Sequence, residues 1–198
     1  MKLHLCGLFA VCAFVLTVRR DADVAASPDI IHIVPANSSH TLYLVGYSSQ
    51  MSKPRISCVN SNYTNRTDGW VNRRLNYIYT KQGREDDSLI ISTPFSIMVE
   101  NSPLVFIMYV NYTRDPPRYI GRVREKYHLL YYDNDTMVLS NRKANTTKGE
   151  RNCSLWVTEK YINITTETLL AKKIFDTNCA NPEYISYWDN CTQHFQRQ

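Results

Sequence analysis

An all-β fold with a single helix near the C-terminus is what the sequence predicts, and three observations predict it. Short segments rich in β-branched and aromatic residues recur along the chain, with turn signals at roughly 8–12-residue spacing. Helical periodicity is confined to one late run, beyond Asn163. An apolar leader and an excess of N-glycosylation sequons point to the secretory route, where disulfides can staple a loop-rich β domain. The spacing alone fits a sandwich or a barrel.

The chain starts MKLHLCGLFAVCAFVLTVRR, with Lys2 as a short basic region and an apolar run from Leu3 to Val18. That run is short for a membrane span and suits a signal-peptide core. Small residues at Ala22 and at Val24-Ala25-Ala26 place cleavage near Ala26, so residues 1–26 read as signal peptide and 27–198 as one domain. The competing reading is an uncleaved signal anchor. No second apolar run of spanning length follows, so a soluble, secreted chain of about 170 residues is expected, long enough for one core. Its charge of about +4 is too mild to demand a nucleic-acid partner. Cys6 and Cys12 leave with the signal; Cys58, Cys153, Cys179 and Cys191 remain, an even count that reads as two disulfides with three connectivities. No CxxC spacing supports zinc, and neither metal nor cofactor is expected. Sequons occur at Asn37, Asn62, Asn65, Asn111, Asn134, Asn145, Asn152, Asn163 and Asn190, against about two expected at random for this many asparagines.

Taken in order, TLYLVGYSS (41–49) and ISCVNS (56–61) are β-rich. WVNRRLNYIY (70–79) alternates, with Val71, Arg73, Leu75, Tyr77 and Tyr79 on one face. In LIISTPFSIMVE (89–100), Phe95, Ile97 and Val99 share a face, and Pro94 predicts a bulge or an edge. PLVFIMYVNY (103–112) is apolar on both faces. KYHLLYYD (126–133) and TMVLS (136–140) form a predicted hairpin closed by Asp133-Asn134-Asp135, and CSLWVTEKY follows. The helix is predicted from a cap at Thr165 or Thr166 to near Cys179, its apolar side built on Leu170 and Ile174 flanked by Leu169 and Phe175. A short strand, EYISYW (183–188), leads to Cys191. Many strands, one late helix and a return strand form the lipocalin arrangement: an eight-stranded antiparallel barrel with a helix packed outside. An immunoglobulin-like sandwich competes, but the late helix and the missing Cys…Trp…Cys spacing oppose it.

Several of these stretches together resemble the tick salivary lipocalins, the family of the histamine-binding proteins, and within it the japanin branch. They are TLYLVGYSS with SCV (57–59), WVNRRLNYIYT (70–80), YYDNDTMVLS (131–140), NCSLWVTEKY (152–161), and FDTNC (175–179) with WDNC (188–191). The resemblance implies the pairings Cys58–Cys191 and Cys153–Cys179. It also implies that a bridge many tick lipocalins make in the hairpin after the acidic turn is absent, since DNDTMVL carries Met137 and no cysteine.

A small barrel holds one small ligand. Alternation nominates Leu75, Tyr77, Tyr79, Phe95, Ile97, Val99, Ser154 and Trp156 as candidate lining, each of which could equally be ordinary core, with Leu155 and Val157 facing the helix. Amine-binding members of the resembled family carry a carboxylate immediately before the Leu-Trp pair; this chain has Ser154 there, and Glu100 alternates outward. The resemblance therefore implies a lipophilic ligand, a sterol such as cholesterol, and an action on host dendritic cells through the outer surface. The alternatives are a scavenger of histamine, serotonin or a lipid mediator, and a glycosylated adhesion or inhibitor domain with a filled core. Catalysis has no support: GxSxG, HExxH and P-loop motifs are absent and the histidines are scattered. The basic run Arg114, Arg118, Arg122, Arg124 and Lys126, with Tyr119 and Tyr127, could meet an anionic host surface or nucleic acid, but its spread, broken by Glu125, reads as a solvated face. A monomer without membrane insertion is expected.

Overall fold

In the computed structural model the described residues are 33–81, 88–102, 105–112, 124–142, 151–162, 169–185 and 191. The leader and the predicted helix cap at Thr165 or Thr166 lie outside them.

Eight strands pair antiparallel, each with its neighbour in sequence: β1 (Leu42–Ser48), β2 (Ile56–Thr67), β3 (Trp70–Thr80), β4 (Ser88–Ser102), β5 (Val105–Tyr112), β6 (Lys126–Tyr132), β7 (Thr136–Ser140) and β8 (Cys153–Thr158). β8 then pairs with β1, closing the ring into a barrel without edge strands. Helix α1 (Leu170–Asn178) packs on the outside, and β9 (Pro182–Tyr184) lies beside β1 outside the ring. One edge of β1 is divided. Leu42 and Tyr43 pair with Ser61 and Asn60 of β2, while Gly46 to Ser48 pair with β9.

Local chemistry explains most of the departures from simple alternation. Asp68 (φ 50°) and Gly69 (φ 80°) both sit at positive φ, as a two-residue type I′ turn between β2 and β3 demands. β2 therefore runs to Thr67 rather than stopping near 61. Residues 62–67 are all exposed and carry no alternation, so periodicity does not reveal them. A bulge between Leu44 and Gly46 shifts the phase of β1. Pro94 makes no bulge: the β3–β4 register runs unbroken through its pairing with Arg74, and β5 pairs only from Phe95 onward. The β6–β7 turn is held by Asp133, whose carboxylate accepts from the backbone N–H of Asp135 (2.8 Å) and Thr136 (2.6 Å) and from the Tyr131 hydroxyl (2.9 Å).

Two apolar cores result. Leu42, Val71, Leu75, Phe95, Ile97, Met108, Val110, Met137 and Leu139 gather inside the ring. Val45, Leu130, Val138, Leu155 and Val157 gather outside it against Ala171 and Phe175 of α1. The helix thus buries Ala171 and Phe175, one turn apart, while Leu170 is 53% exposed and Ile174 half-buried. The apolar side lies one position further along than predicted. The reason is packing: Ala171, Phe175 and Cys179 form one i, i+4 row, and the Cys179–Cys153 disulfide turns that row towards the barrel, while the helix itself runs from Leu170 with Leu169 extended at its N-cap. Phe175 reaches so close to β1 that a Cβ on Gly46 would stand 3.0 Å from its ring. The C-terminal strand is also shorter than predicted within the described residues, ending at Tyr184.

Two disulfides fasten the outer layer. Cys153–Cys179 ties the start of β8 to the end of α1, and Cys58–Cys191 ties β2 to the C-terminal segment across 133 residues. The chain-entropy model gives about 3–5 kcal/mol for each. Because Phe175 is fully buried between α1 and β1, Phe175→Ala is expected to cost about 3–5 kcal/mol in urea unfolding with both disulfides intact. A loss below about 1 kcal/mol would show that the helix is not part of the cooperative core.

Candidate ligand cavity

The inner core does not fill the barrel. The centre of a water molecule can explore about 200 Å³ inside it. The walls come from alternate residues of β3 to β8 (Leu75; Phe95 and Ile97; Met108, Val110 and Tyr112; Tyr127; Met137 and Leu139; Ser154 and Trp156), from Leu42, Leu44 and Tyr47 of β1, and from the consecutive run Ile56–Val59 of β2, where the register is irregular. The β1 bulge is what lets both Leu44 and Tyr47 face inward. Phe95 and Tyr112 stack across β4 and β5 with ring centroids 5.8 Å apart.

One end of the cavity is floored by Arg73, which is 1% exposed. Its alternation with Val71 and Leu75 aims it inward, and its five N–H donors all find oxygen. Nε donates to Ser61 Oγ (2.9 Å). Nη1 donates to the carbonyls of Ala36 (3.2 Å) and Ser38 (2.8 Å). Nη2 donates to those of His40 (2.6 Å) and Ser61 (2.8 Å). These bonds draw the segment before β1 across the barrel end, with Ala36 in the lining. Burial pushes the guanidinium down to about 10, so it stays charged at neutral pH. At the other end, where β1 stops and β2 begins, the exposed residues Met51, Ser52 and Lys53 complete the lining, and the cavity reaches the surface there.

Leu75, Phe95, Ile97, Ser154 and Trp156 of the nominated residues line the cavity. Tyr77 is fully buried, Tyr79 and Val99 half-buried, and none of the three belongs to the lining. Ser154 Oγ accepts the indole N–H of Trp156 (2.9 Å), which supplies the one polar group of that ring with a partner. Alternation missed Arg73 although it lay on the nominated face, because a charged residue there reads as outward. It also missed β5, whose apolar residues on both faces hide which side is inner. Among the described residues no aspartate or glutamate lines the cavity, and no cluster of three metal-ligating side chains occurs. Glu100 is exposed outside the barrel and accepts from the Tyr109 hydroxyl (2.8 Å).

No protein-family model matches the chain. Japanin from Rhipicephalus appendiculatus is 33% identical over 159 residues, covering 80% of this chain and 84% of that protein. The chain belongs to the japanin family of tick lipocalins. A japanin-like protein from Rhipicephalus sanguineus is 29% identical over 192 residues, 96% of this chain and 99% of the relative. The solved structure of R. appendiculatus japanin bound to cholesterol matches with a TM-score of 0.66 at 31% identity, covering 78% of this chain and 97% of that one. Of the sequon asparagines among the described residues of this japanin-family barrel, Asn62, Asn65, Asn111 and Asn134 are exposed, and Asn37 and Asn152 are half-buried. Asn145, Asn163 and Asn190 lie outside the described residues, as do Arg114, Arg118, Tyr119 and Arg122 of the basic run.

Burial raises the phenols of Tyr112 and Tyr127 above their ordinary value of 10.0. The unfolded chain loses those protons near pH 10 while the folded chain keeps them. The stability they contribute is complete below about pH 10 and is lost as pH rises through the folded values. At about pH 11 the phenolate absorbance of the folded protein is expected to fall short of its denatured value by at least these two tyrosines. Full ionisation of all 14 tyrosines in the folded state at that pH would contradict the burial of the cavity wall.

Proposed function

We propose that this protein is secreted in tick saliva, holds a sterol such as cholesterol in its barrel, and modulates the host immune response by suppressing or reprogramming dendritic-cell maturation. The observation that carries the ligand reading is the cavity lining, which is apolar and aromatic and has Ser154 where an amine binder of the wider family would present a carboxylate. An ammonium buried there would meet no counter-charge among the described residues, and an unpaired buried charge costs several kcal/mol. A rigid hydrocarbon loses nothing by the same transfer and gains roughly 25 cal/mol for each Å² it buries. The cholesterol bound to R. appendiculatus japanin supports a sterol in particular. Leu75, Phe95, Ile97 and Trp156 would pack on its rings. Sequestration needs no bond-making, so the activity is carriage rather than catalysis.

The immune activity rests on the family relationship. It would use the outer surface, with the protein acting as a glycosylated monomer. The exposed hairpin 62–69 and the exposed sequons belong to that surface. Native mass spectrometry and lipid extraction of the secreted protein test the ligand: one sterol per chain is the expected result. Tight binding of histamine or serotonin by ligand-free protein that takes up no sterol would replace this reading with amine scavenging. A dendritic-cell maturation assay tests the second half. Reduced maturation is expected, and no effect at saturating protein would remove the claim.

A further inference from the structure

The cavity lining holds two cationic side chains, one at each end, and among the described residues no carboxylate. Arg73 at the floor is solvated by four carbonyls and one hydroxyl, which lower the cost of burying its charge but carry no net charge themselves. Among the described residues no carboxylate compensates its unit positive charge, which acts through apolar walls rather than water. Lys53 at the mouth is exposed and makes no ion pair with a described residue. A hydrophobic cavity with a positive floor and a positive rim is a poor host for a cation and a good one for an amphiphile with a negative head.

We infer that the cavity selects an anionic amphiphile, such as a sterol sulfate or a long-chain carboxylate, over the neutral and cationic molecules of the same skeleton. The proposal rests on the carriage of a lipophilic ligand and adds the charge of its head. The geometry also sets the orientation. An acid group at the floor would find every Arg73 donor already committed and would lose its own water, an expensive burial. At the mouth it keeps most of its hydration and meets the Lys53 ammonium, with the hydrocarbon inside. Lys53 then supplies a salt-screened attraction, and Arg73 an exclusion of cations that salt screens far less, because its field runs through the interior.

The test uses the whole secreted protein, delipidated, and three sterols that share one ring skeleton: cholesterol, its 3-sulfate and a 3-ammonium analogue. At low salt the sulfate is expected to bind several-fold tighter than cholesterol and at least tenfold tighter than the ammonium sterol. At about 1 M salt, where the Debye length is near 3 Å, the sulfate's advantage over cholesterol should shrink while the ammonium sterol stays weakest. Lys53→Gln, in an exposed turn, should collapse the sulfate-to-cholesterol ratio towards one. Equal binding of all three sterols, or a sulfate advantage unchanged by Lys53→Gln, overturns the inference. If no sterol of any charge binds, it is the sterol reading that fails. A long-chain fatty acid compared with its alcohol then decides the charge preference on its own: tighter binding of the acid upholds it, and equal binding refutes it.

Discussion

A closed barrel has walls that pair with one another, but its ends are rings of strand termini, and one end must be stoppered if the interior is to be a cavity rather than a pore. Here the stopper is the segment before β1, and Arg73 is what holds it. Moving a guanidinium out of water costs several kcal/mol, and the five hydrogen bonds it makes are what offset that cost. Two links of the fold depend on it. The segment 36–40 has no strand partner among the described residues, so these bonds hold it across the end. The start of β2's exposed extension is tied to the same point through Ser61, and Arg66 adds a bond to the Asn37 carbonyl (3.0 Å). Replacing Arg73 with a hydrocarbon would leave four buried or half-buried carbonyls without this donor, which is why a charge persists among the apolar walls.

β8 is the wall shared by both cores. Ser154 and Trp156 face the cavity, while Leu155 and Val157 lie against the helix, and Cys153 joins the strand to Cys179. The position of Trp156 is thus set from behind: the helix, the disulfide and the glycine at 46 that admits Phe175 all fix the backbone on which the indole stands. The rigidity of the ligand wall is a property of the outer layer.

Strand alternation made the barrel legible, because a strand with one dry face and one wet face shows a polarity of period two. It worked for β3 and β4, where inner and outer residues differ in chemistry, and on β8 it separated Ser154 and Trp156 from Leu155 and Val157 although the outer pair is buried as well. It was silent on β2 beyond Ser61, where both faces meet water, and on β5, where both faces are apolar. It set Tyr77 and Tyr79 on the inner face of β3 but could not say how far along the barrel the open space extends. Neither residue borders the cavity. The helix followed from periodicity, yet which of its adjoining apolar rows is buried depends on the Cys153–Cys179 bridge and the packing against the barrel, which local spacing does not record. Arg73 could have been found from its neighbours: a cation at the centre of an alternating apolar face, Val71-x-Arg73-x-Leu75, signals either a break in the strand or a buried charge with work to do.

A lipophilic ligand held inside the ring would lie against the face of β8 that Ser154 and Trp156 form. A variant with Trp156 as its single tryptophan (Trp70→Phe, Trp188→Phe) tests this directly when titrated with a heavy-atom-labelled sterol. Saturable quenching of Trp156 emission at one sterol per chain, reversed by unlabelled cholesterol, is the expected result. Stoichiometric sterol binding that leaves Trp156 emission unquenched would place the ligand outside the barrel and contradict it.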